Sequence, residues 1–260
     1  MKIPLYQIDA FTGRVFGGNP AAVCPLDAWL PDPTMQSIGL ENNVSETAFI
    51  VPQNGDYAIR WFTPACEVDL CGHATLASGY AIFNILEPSR TSVTFSSKSG
   101  PLHVTRQDDT IILNFPARAG VLCDPPAELL AALNVKPEAV YKASDYMAVF
   151  KSEAEIRALR PDMAKLAAID GIRAFICTAP GDSVDFVSRF FAPKQGINED
   201  PVTGSAHCTL IPYWSKRLGR NPLRALQLSA RGGELYCEDL GDRVAIAGRA
   251  ALYLEGAIHI

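Results

Sequence analysis

The 260-residue chain is 48% hydrophobic and 20% charged, too apolar for an intrinsically disordered polymer and long enough for one large domain or two smaller ones. Its 23 basic residues against 28 acidic ones leave a net charge of −5 without a basic block, which argues against nucleic acid and against an anionic membrane surface as partners. Seven cysteines, an odd number spread over a long chain, suit reduced thiols better than a disulfide framework.

In chain order, the N-terminal ten residues are broken by Pro4, Gln7 and Asp9 before a signal-peptide core can form. No stretch reaches the roughly 18 apolar residues of a membrane span, so a cytoplasmic protein is expected. Aromatic and β-branched segments around Ala48-Phe49-Ile50, closed by Asn54-Gly55-Asp56, and ending at Arg60-Trp61-Phe62-Thr63-Pro64 read as strands. The run 73–86, opened by Gly72 and rich in small residues such as Ala77, Ser78 and Gly79, reads as a helix enclosed on all sides. Strands are predicted at 92–95, 102–105 and 110–115, and peripheral helices at 125–134 and 152–169. The second of these, amphipathic through Ile156, Leu159, Met163 and Leu166, reads as a solvent-facing decoration. Strand signals return around Ala174-Phe175-Ile176 and Arg189-Phe190-Phe191-Ala192-Pro193, before a second enclosed helix at 205–218, opened by Gly204, that Pro212 should kink. Strands at 226–228 and 244–254 close the chain.

These elements echo one another. Ala48-Phe49-Ile50 returns as Ala174-Phe175-Ile176, Gly55-Asp56 as Gly181-Asp182, and Arg60-Trp61-Phe62-Thr63-Pro64 as Arg189-Phe190-Phe191-Ala192-Pro193. Each series then reaches an acid-bearing loop and a glycine opening an apolar run, which reads as duplication of one unit of about 130 residues. The expected fold is α+β, with two pseudo-symmetric halves at 1–116 and 117–260 joined near residues 115–119. Each half wraps a β-barrel-like sheet around one central helix, and the last strand is free to return to the first half.

Duplication supplies a scaffold, so chemistry is sought where the copies differ. Glu46 stands two residues before Ala48, where the echo places Ile172 in the second copy. Facing inward among apolar side chains, this carboxyl would be tuned toward neutrality as a general acid and base. The first turns at Gly72-His73 and Gly204-Ser205 offer backbone N–H groups to a carboxylate, and the same helix end favours a neutral His73. Ser205 reads as a capping residue or a hydroxyl donor to a substrate acid. Asp200, held extended by Pro201, adds a second carboxyl just ahead of the second helix. Cys66, Cys71, His73, His207 and Cys208 are the possible metal ligands, but with four histidines and no Cys-x-x-Cys spacing no catalytic metal is expected. Dinucleotide, P-loop, zinc-protease and nucleophile-elbow motifs are all missing from the sequence.

Five ordered motifs together resemble the PhzF-like family named for phenazine biosynthesis. They are Asp9-Ala10-Phe11-Thr12, Gly18-Asn19-Pro20-Ala21-Ala22-Val23, Ser45-Glu46-Thr47-Ala48-Phe49, Asp69-Leu70-Cys71-Gly72-His73-Ala74-Thr75 and Glu199-Asp200-Pro201-Val202-Thr203-Gly204-Ser205-Ala206. The resemblance implies the diaminopimelate epimerase-like fold with the active site in the cleft between the halves. It also implies a cofactor-free, metal-free isomerase acting on a small carboxylated substrate such as dihydro-hydroxyanthranilate, and a homodimer. Glu46 would be the acid and base, with His73 and Asp200 as supporting catalytic groups. Asn19, Ser45, Gly72, Gly204 and Ser205 would line the substrate site. Related epimerases of this fold carry a cysteine at each helix mouth; here Cys71 is matched by Thr203, which disfavours a two-thiol amino-acid racemase. A catalytically silent module binding a metabolite or a protein is the alternative from outside the enzymes.

Overall fold

The computed structural model describes residues 1–260 and divides into two units, Met1–Phe115 with Ile246–Ile260, and Pro116–Ala245. The first contains β1 (Lys2–Ala10), β2 (Asn19–Pro25), α1 (Asp32–Asn42), β3 (Glu46–Gln53), β4 (Asp56–Phe62), β5 (Glu67–Val68), α2 (Gly72–Ala81), β6 (Ser92–Ser97), β7 (Gly100–Gln107) and β8 (Thr110–Pro116). In the second lie β9 (Val121–Leu122), α3 (Ala127–Ala132), β10 (Ala139–Lys142), β11 (Tyr146–Val149), α4 (Glu153–Ala158), α5 (Met163–Ala168), β12 (Phe175–Pro180), β13 (Phe186–Ala192), β14 (Ile197–Asp200), α6 (Gly204–Leu218), β15 (Leu223–Gln227) and β16 (Gly233–Asp239). The chain returns to the first unit through β17 (Arg243–Gly248) and ends on β18 (Ala250–His259), antiparallel to β1.

Strand pairing in the first unit runs β18, β1, β2, β3, β4, β6, β7, β8, with parallel steps only at β2–β3 and β4–β6, while β5 adds to β4. The same series recurs in the second as β9, β10, β11, β12, β13, β15, β16, with parallel steps at β11–β12 and β13–β15 and β14 on β13. In the first unit α2 packs against β1, β2, β3, β7 and β18, so nearly every residue of that helix is buried, including the polar Thr75 and Ser78. Those two hydroxyls stay satisfied by bonding carbonyls one turn back, Cys71 and Ala74. α6 is buried through Trp214 and turns polar only in its last turn, where Lys216 and Arg217 suit the negative end of the helix dipole. It runs from Gly204 to Leu218 with Pro212 inside it.

Four sequence expectations need correction. The ladder pairs Thr47 with Phe62 and Phe175 with Phe191, so Ala48-Phe49-Ile50 lies level with Ile176-Cys177-Thr178, two residues beyond the Ala-Phe-Ile echo. The position level with Glu46 is therefore the buried Ala174 and not Ile172, which packs in the second unit's core before β12 begins. A shift of two preserves the face of a strand, so acid opposite apolar residue survives the correction.

The helix expected over 152–169 is two, α4 and α5, because Pro161 disfavours helical geometry at Arg160. Ile156, Leu159 and Leu166 are almost completely buried in a cluster with Leu129, Phe150, Phe175 and Phe191, so the segment is core and not decoration. Each such aliphatic side chain contributes about 1.5–3 kcal/mol by leaving water. The strand expected over 244–254 is likewise two, β17 and β18. The break follows Gly248, where a Cβ would stand 2.5 Å from the Phe11 ring, and Arg249 uses its carbonyl to accept from Thr12 N–H.

Candidate functional site

In the first unit the candidate residues are delivered by two strand starts and one helix mouth. The motif Asp9-Ala10-Phe11-Thr12 ends β1, and Asp9 Oδ2 accepts from Phe16 N–H at 2.8 Å, fixing the turn that follows. Gly18 closes that turn at φ +59°, where a Cβ would fall 2.1 Å from the Ala10 carbonyl oxygen, so only glycine lets Asn19 start β2 at this point. β3 lies parallel to β2, with Glu46 level with Ala21, which brings the Ser45-Glu46 strand start beside Asn19. Cys71 is the N-cap of α2 and His73 its second residue.

The side chains form a continuous line. Ser45 Oγ donates to Asn19 Oδ1 at 3.0 Å, and Asn19 Nδ2 meets His73 Nδ1 at 3.1 Å. With the amide donating there, the proton of a neutral imidazole sits on Nε2, which lies 3.0 Å from Glu46 Oε2; in the charged ring both nitrogens carry protons, and Asn19 must turn its oxygen to Nδ1. The Glu46 oxygen is shut off from water and makes no hydrogen bond, so it meets Nε2 off the N–H axis, as a charge contact. Cys71 Sγ is 3.6 Å from Nδ1 and 4.0 Å from Nε2 of the same ring.

Burial opposes a positive charge on His73, but Cys71 and Glu46 outweigh it and raise its pKa well above the ordinary histidine value. Burial, aided by the Glu46 charge, pushes the Cys71 thiol up to about 11. At neutral pH Cys71 is therefore an uncharged thiol. The helix end was expected to keep the His73 imidazole neutral, and Cys71 together with Glu46 acts in the opposite direction. Nor is Glu46 set among apolar groups only, since its inner oxygen faces a ring nitrogen.

In the second unit Asp200 ends β14 and is buried, and Thr203 is the N-cap of α6, the counterpart of Cys71. Thr203 Oγ1 donates to Asp200 Oδ2. Gly204 and Ser205 form the first turn, Gly204 buried and Ser205 half-buried, so their backbone N–H groups belong to the four that a helix cannot satisfy internally. Sequence reasoning missed Gln227, buried at the end of β15. Its Oε1 accepts from Thr203 N–H at 2.9 Å, and its Nε2 donates to the Asp200 carbonyl at 2.8 Å and to Thr203 Oγ1 at 3.2 Å. The one available signal was a glutamine between Leu226 and Leu228. His207 was missed as a structural residue: Nδ1–H donates to the Thr203 carbonyl at 2.9 Å from full burial.

The segment ahead of each helix is held by an arginine from the preceding strand. Arg60 pairs with Glu67 through Nε and Nη2 at 2.7 and 2.8 Å, while Arg189 pairs with Glu199 through the same nitrogens at 2.7 and 2.9 Å. Each guanidinium also lies over a ring two residues along its own strand, Phe62 at 5.2 Å and Phe191 at 4.9 Å. Such bidentate pairs fix direction as well as distance, and here they set the approach to Cys71 and to Asp200.

A family model, PhzC-PhzF, described as phenazine biosynthesis-like protein, matches residues 8–256. An uncharacterised isomerase of Pseudomonas aeruginosa is 49% identical over 260 residues, covering 100% of both chains. The crystal structure of a phenazine biosynthesis protein of the PhzF family from Enterococcus faecalis superposes with a TM-score of 0.96 at 48% identity, again over 100% of each chain. A hydroxyproline epimerase of Agrobacterium vitis, 11% identical, superposes with a TM-score of 0.62 over 99% of this chain and 92% of that one, a likeness of fold alone. The fold is thus α+β of the diaminopimelate epimerase type.

Proposed function

We propose, from its place in the PhzC-PhzF family of phenazine biosynthesis-like proteins, an isomerase family to which the chain belongs, that it moves a proton on a small carboxylated substrate by general acid–base catalysis at Glu46. The observation carrying this reading is the line Ser45, Asn19, His73, Glu46 at the mouth of α2. A base that removes and redelivers one proton needs a neighbour that keeps its charge in place between the two events, and His73 holds that position. Ser45 and Asn19 orient the imidazole. The N–H groups at Gly72 bind the substrate's acid group, helped by the dipole of a helix whose first turn is buried. Gly204, Ser205 and Asp200 are assigned supporting roles at the mouth of α6. No cofactor enters the scheme; a homodimer is carried over with the family resemblance, and a cytoplasmic location from the sequence reading.

A two-thiol racemase fits less well. The counterpart of Cys71 is Thr203, whose hydroxyl is engaged with Asp200, and Cys208 is fully buried with its thiol pushed up to about 12.

Deuterium wash-in tests the reading. The protein is incubated in heavy water with a panel of small carboxylated compounds, dihydro-hydroxyanthranilate included, and label is followed by mass spectrometry. Wild type should introduce label into at least one compound. Glu46→Gln should lose about 10²–10⁴ of that rate, equivalent to roughly 3 to 5 kcal/mol of barrier. Equal labelling by the two proteins refutes the assignment.

A further inference from the structure

The three side chains at the mouth of α2 have a second chemical capacity. One donor atom each from Glu46, Cys71 and His73 lies within 4.8 Å of the other two, and Cys71 and His73 are buried. Nε2 is 3.0 Å from the carboxylate oxygen and 4.0 Å from the sulfur. Tetrahedral zinc with Zn–S of about 2.3 Å and Zn–N and Zn–O of about 2.0–2.2 Å spaces its ligands by roughly 3.3–3.6 Å, so small side-chain movements suffice. The second sign is the Glu46 oxygen itself, sealed from water yet making no hydrogen bond to the ring beside it. A carboxylate, a thiol and an imidazole gathered within 4.8 Å of one another are what a cation among them requires. We propose that Glu46, Cys71 and His73 form a binding site for one zinc-class divalent ion, and that a bound ion takes the proton-carrying groups out of action.

The ligand set selects the metal class. A thiolate with an imidazole and one carboxylate suits Zn²⁺, Co²⁺ or Cd²⁺, whereas Mg²⁺ and Ca²⁺ require oxygen donors. Binding replaces the Cys71 S–H bond by a metal–sulfur bond and the His73 Nε2–H bond by a metal–nitrogen bond, and releases both protons to solvent. His73 then keeps its proton on Nδ1, where Asn19 can turn its oxygen to accept it, the outer partner that ligating histidines generally have. The second unit is an internal control, because its corresponding positions are Ala174, Thr203 and Ser205. The inhibition rests on the acid–base role proposed for Glu46; the binding does not.

Cobalt titration of the full chain in a Cys66→Ser, Cys123→Ser background, which removes the thiols outside the buried class, reads the site directly. One near-ultraviolet thiolate-to-cobalt band should grow to saturation at one equivalent, with two protons released near neutral pH, and Zn²⁺ should displace it. Cys71→Ser should abolish the band. Glu46→Gln should weaken binding about tenfold or more, because loss of even an outer partner costs about 10–100-fold in metal affinity. Absence of the band, or a band unchanged in Cys71→Ser, overturns the site. With any compound that wild type labels in heavy water, saturating Zn²⁺ should stop exchange and a chelator should restore it. Exchange continuing at full occupancy refutes the inhibition and the role of Glu46 while leaving the site standing. Exchange lost in metal-free Glu46→Gln, with no cobalt band in wild type, leaves the isomerase reading standing without the metal.

Discussion

His207 provides a stability test that is independent of any substrate. Its ring is fully buried and packed near Phe186 at 5.9 Å, with Nδ1–H given to the Thr203 carbonyl and Nε2 left without a partner. Burial lowers its pKa from 6.5 to about 4. The unfolded chain therefore takes up a proton near pH 6.5, while the folded chain resists until near pH 4. Stability from this group is complete above the unfolded pKa and drains away as pH falls through that window. At 1.36 kcal/mol per pH unit the total is about 3 kcal/mol, reached near pH 4 and constant below it. Urea unfolding of wild type and His207→Asn at pH 7.5, 6.0, 5.0 and 4.5 measures this, since the asparagine amide keeps a donor near Nδ1 without titrating. The variant should be less stable at pH 7.5, with a gap that narrows steadily toward pH 4.5. A gap that stays constant across the four pH values would show that His207 does not resist protonation, and the structural reasoning would fail.

Three further substitutions test the supports of the candidate site. Gly18→Ala should lower the thermal midpoint by more than Gly55→Ala: both residues have positive φ, at a strain of roughly 1–2 kcal/mol, but only Gly18 adds a collision, with the Ala10 carbonyl. Equal shifts would deny that the turn before Asn19 is sterically fixed. Arg189→Lys should cost about 2–3 kcal/mol in urea unfolding, since an ammonium cannot span both Glu199 oxygens and the Ile156 and Leu159 carbonyls. Lys194→Ala, at an exposed pair with Asp170, should stay within about 0.5 kcal/mol. Gln227→Leu should cost about 1–3 kcal/mol by stripping the buried Thr203 N–H of its acceptor; an unchanged unfolding midpoint would remove Gln227 from the support of α6.

The recurrence of one strand series was legible because its strongest words, an arginine-aromatic strand and a glycine-opened apolar helix, are local and occur in both units. Its register was not. Residues 47–51 are buried throughout, so β3 carries no in–out alternation with which to align it, and three apolar letters matched two residues away from their place in the ladder. The same ambiguity misjudged α4 and α5: an amphipathic stripe shows that one face is apolar, while how deeply it is covered depends on distant residues such as Phe150 and Phe191. Glu46, His73 and Asn19 were marked by motif and by asymmetry. Gln227 and His207 were invisible as functional supports because a buried polar residue is identified by its partners, and theirs lie 24 and four positions away at a helix start.

What the two units retain and what they have lost separates binding from chemistry. Both keep the arginine clamp, the extended approach and the glycine in the first helical turn, which together present unsatisfied N–H groups at a positive helix end. Such an element is suited to an anion in either unit and needs no particular side chain. Proton transfer needs side chains, and there the units diverge at three levels of the same scaffold: Glu46 against Ala174, Cys71 against Thr203, His73 against Ser205. Single changes would not make the second mouth resemble the first. A thiol at position 203 would lack both the imidazole and the carboxylate that surround Cys71, and would meet Asp200 and Gln227 in their place. The carboxyl group paired with an imidazole occurs at one helix mouth, so a reaction run by this pair uses a single base that both removes and returns the proton. That requirement fits a proton moved between two atoms of one substrate better than inversion at one carbon, which calls for groups on opposite faces.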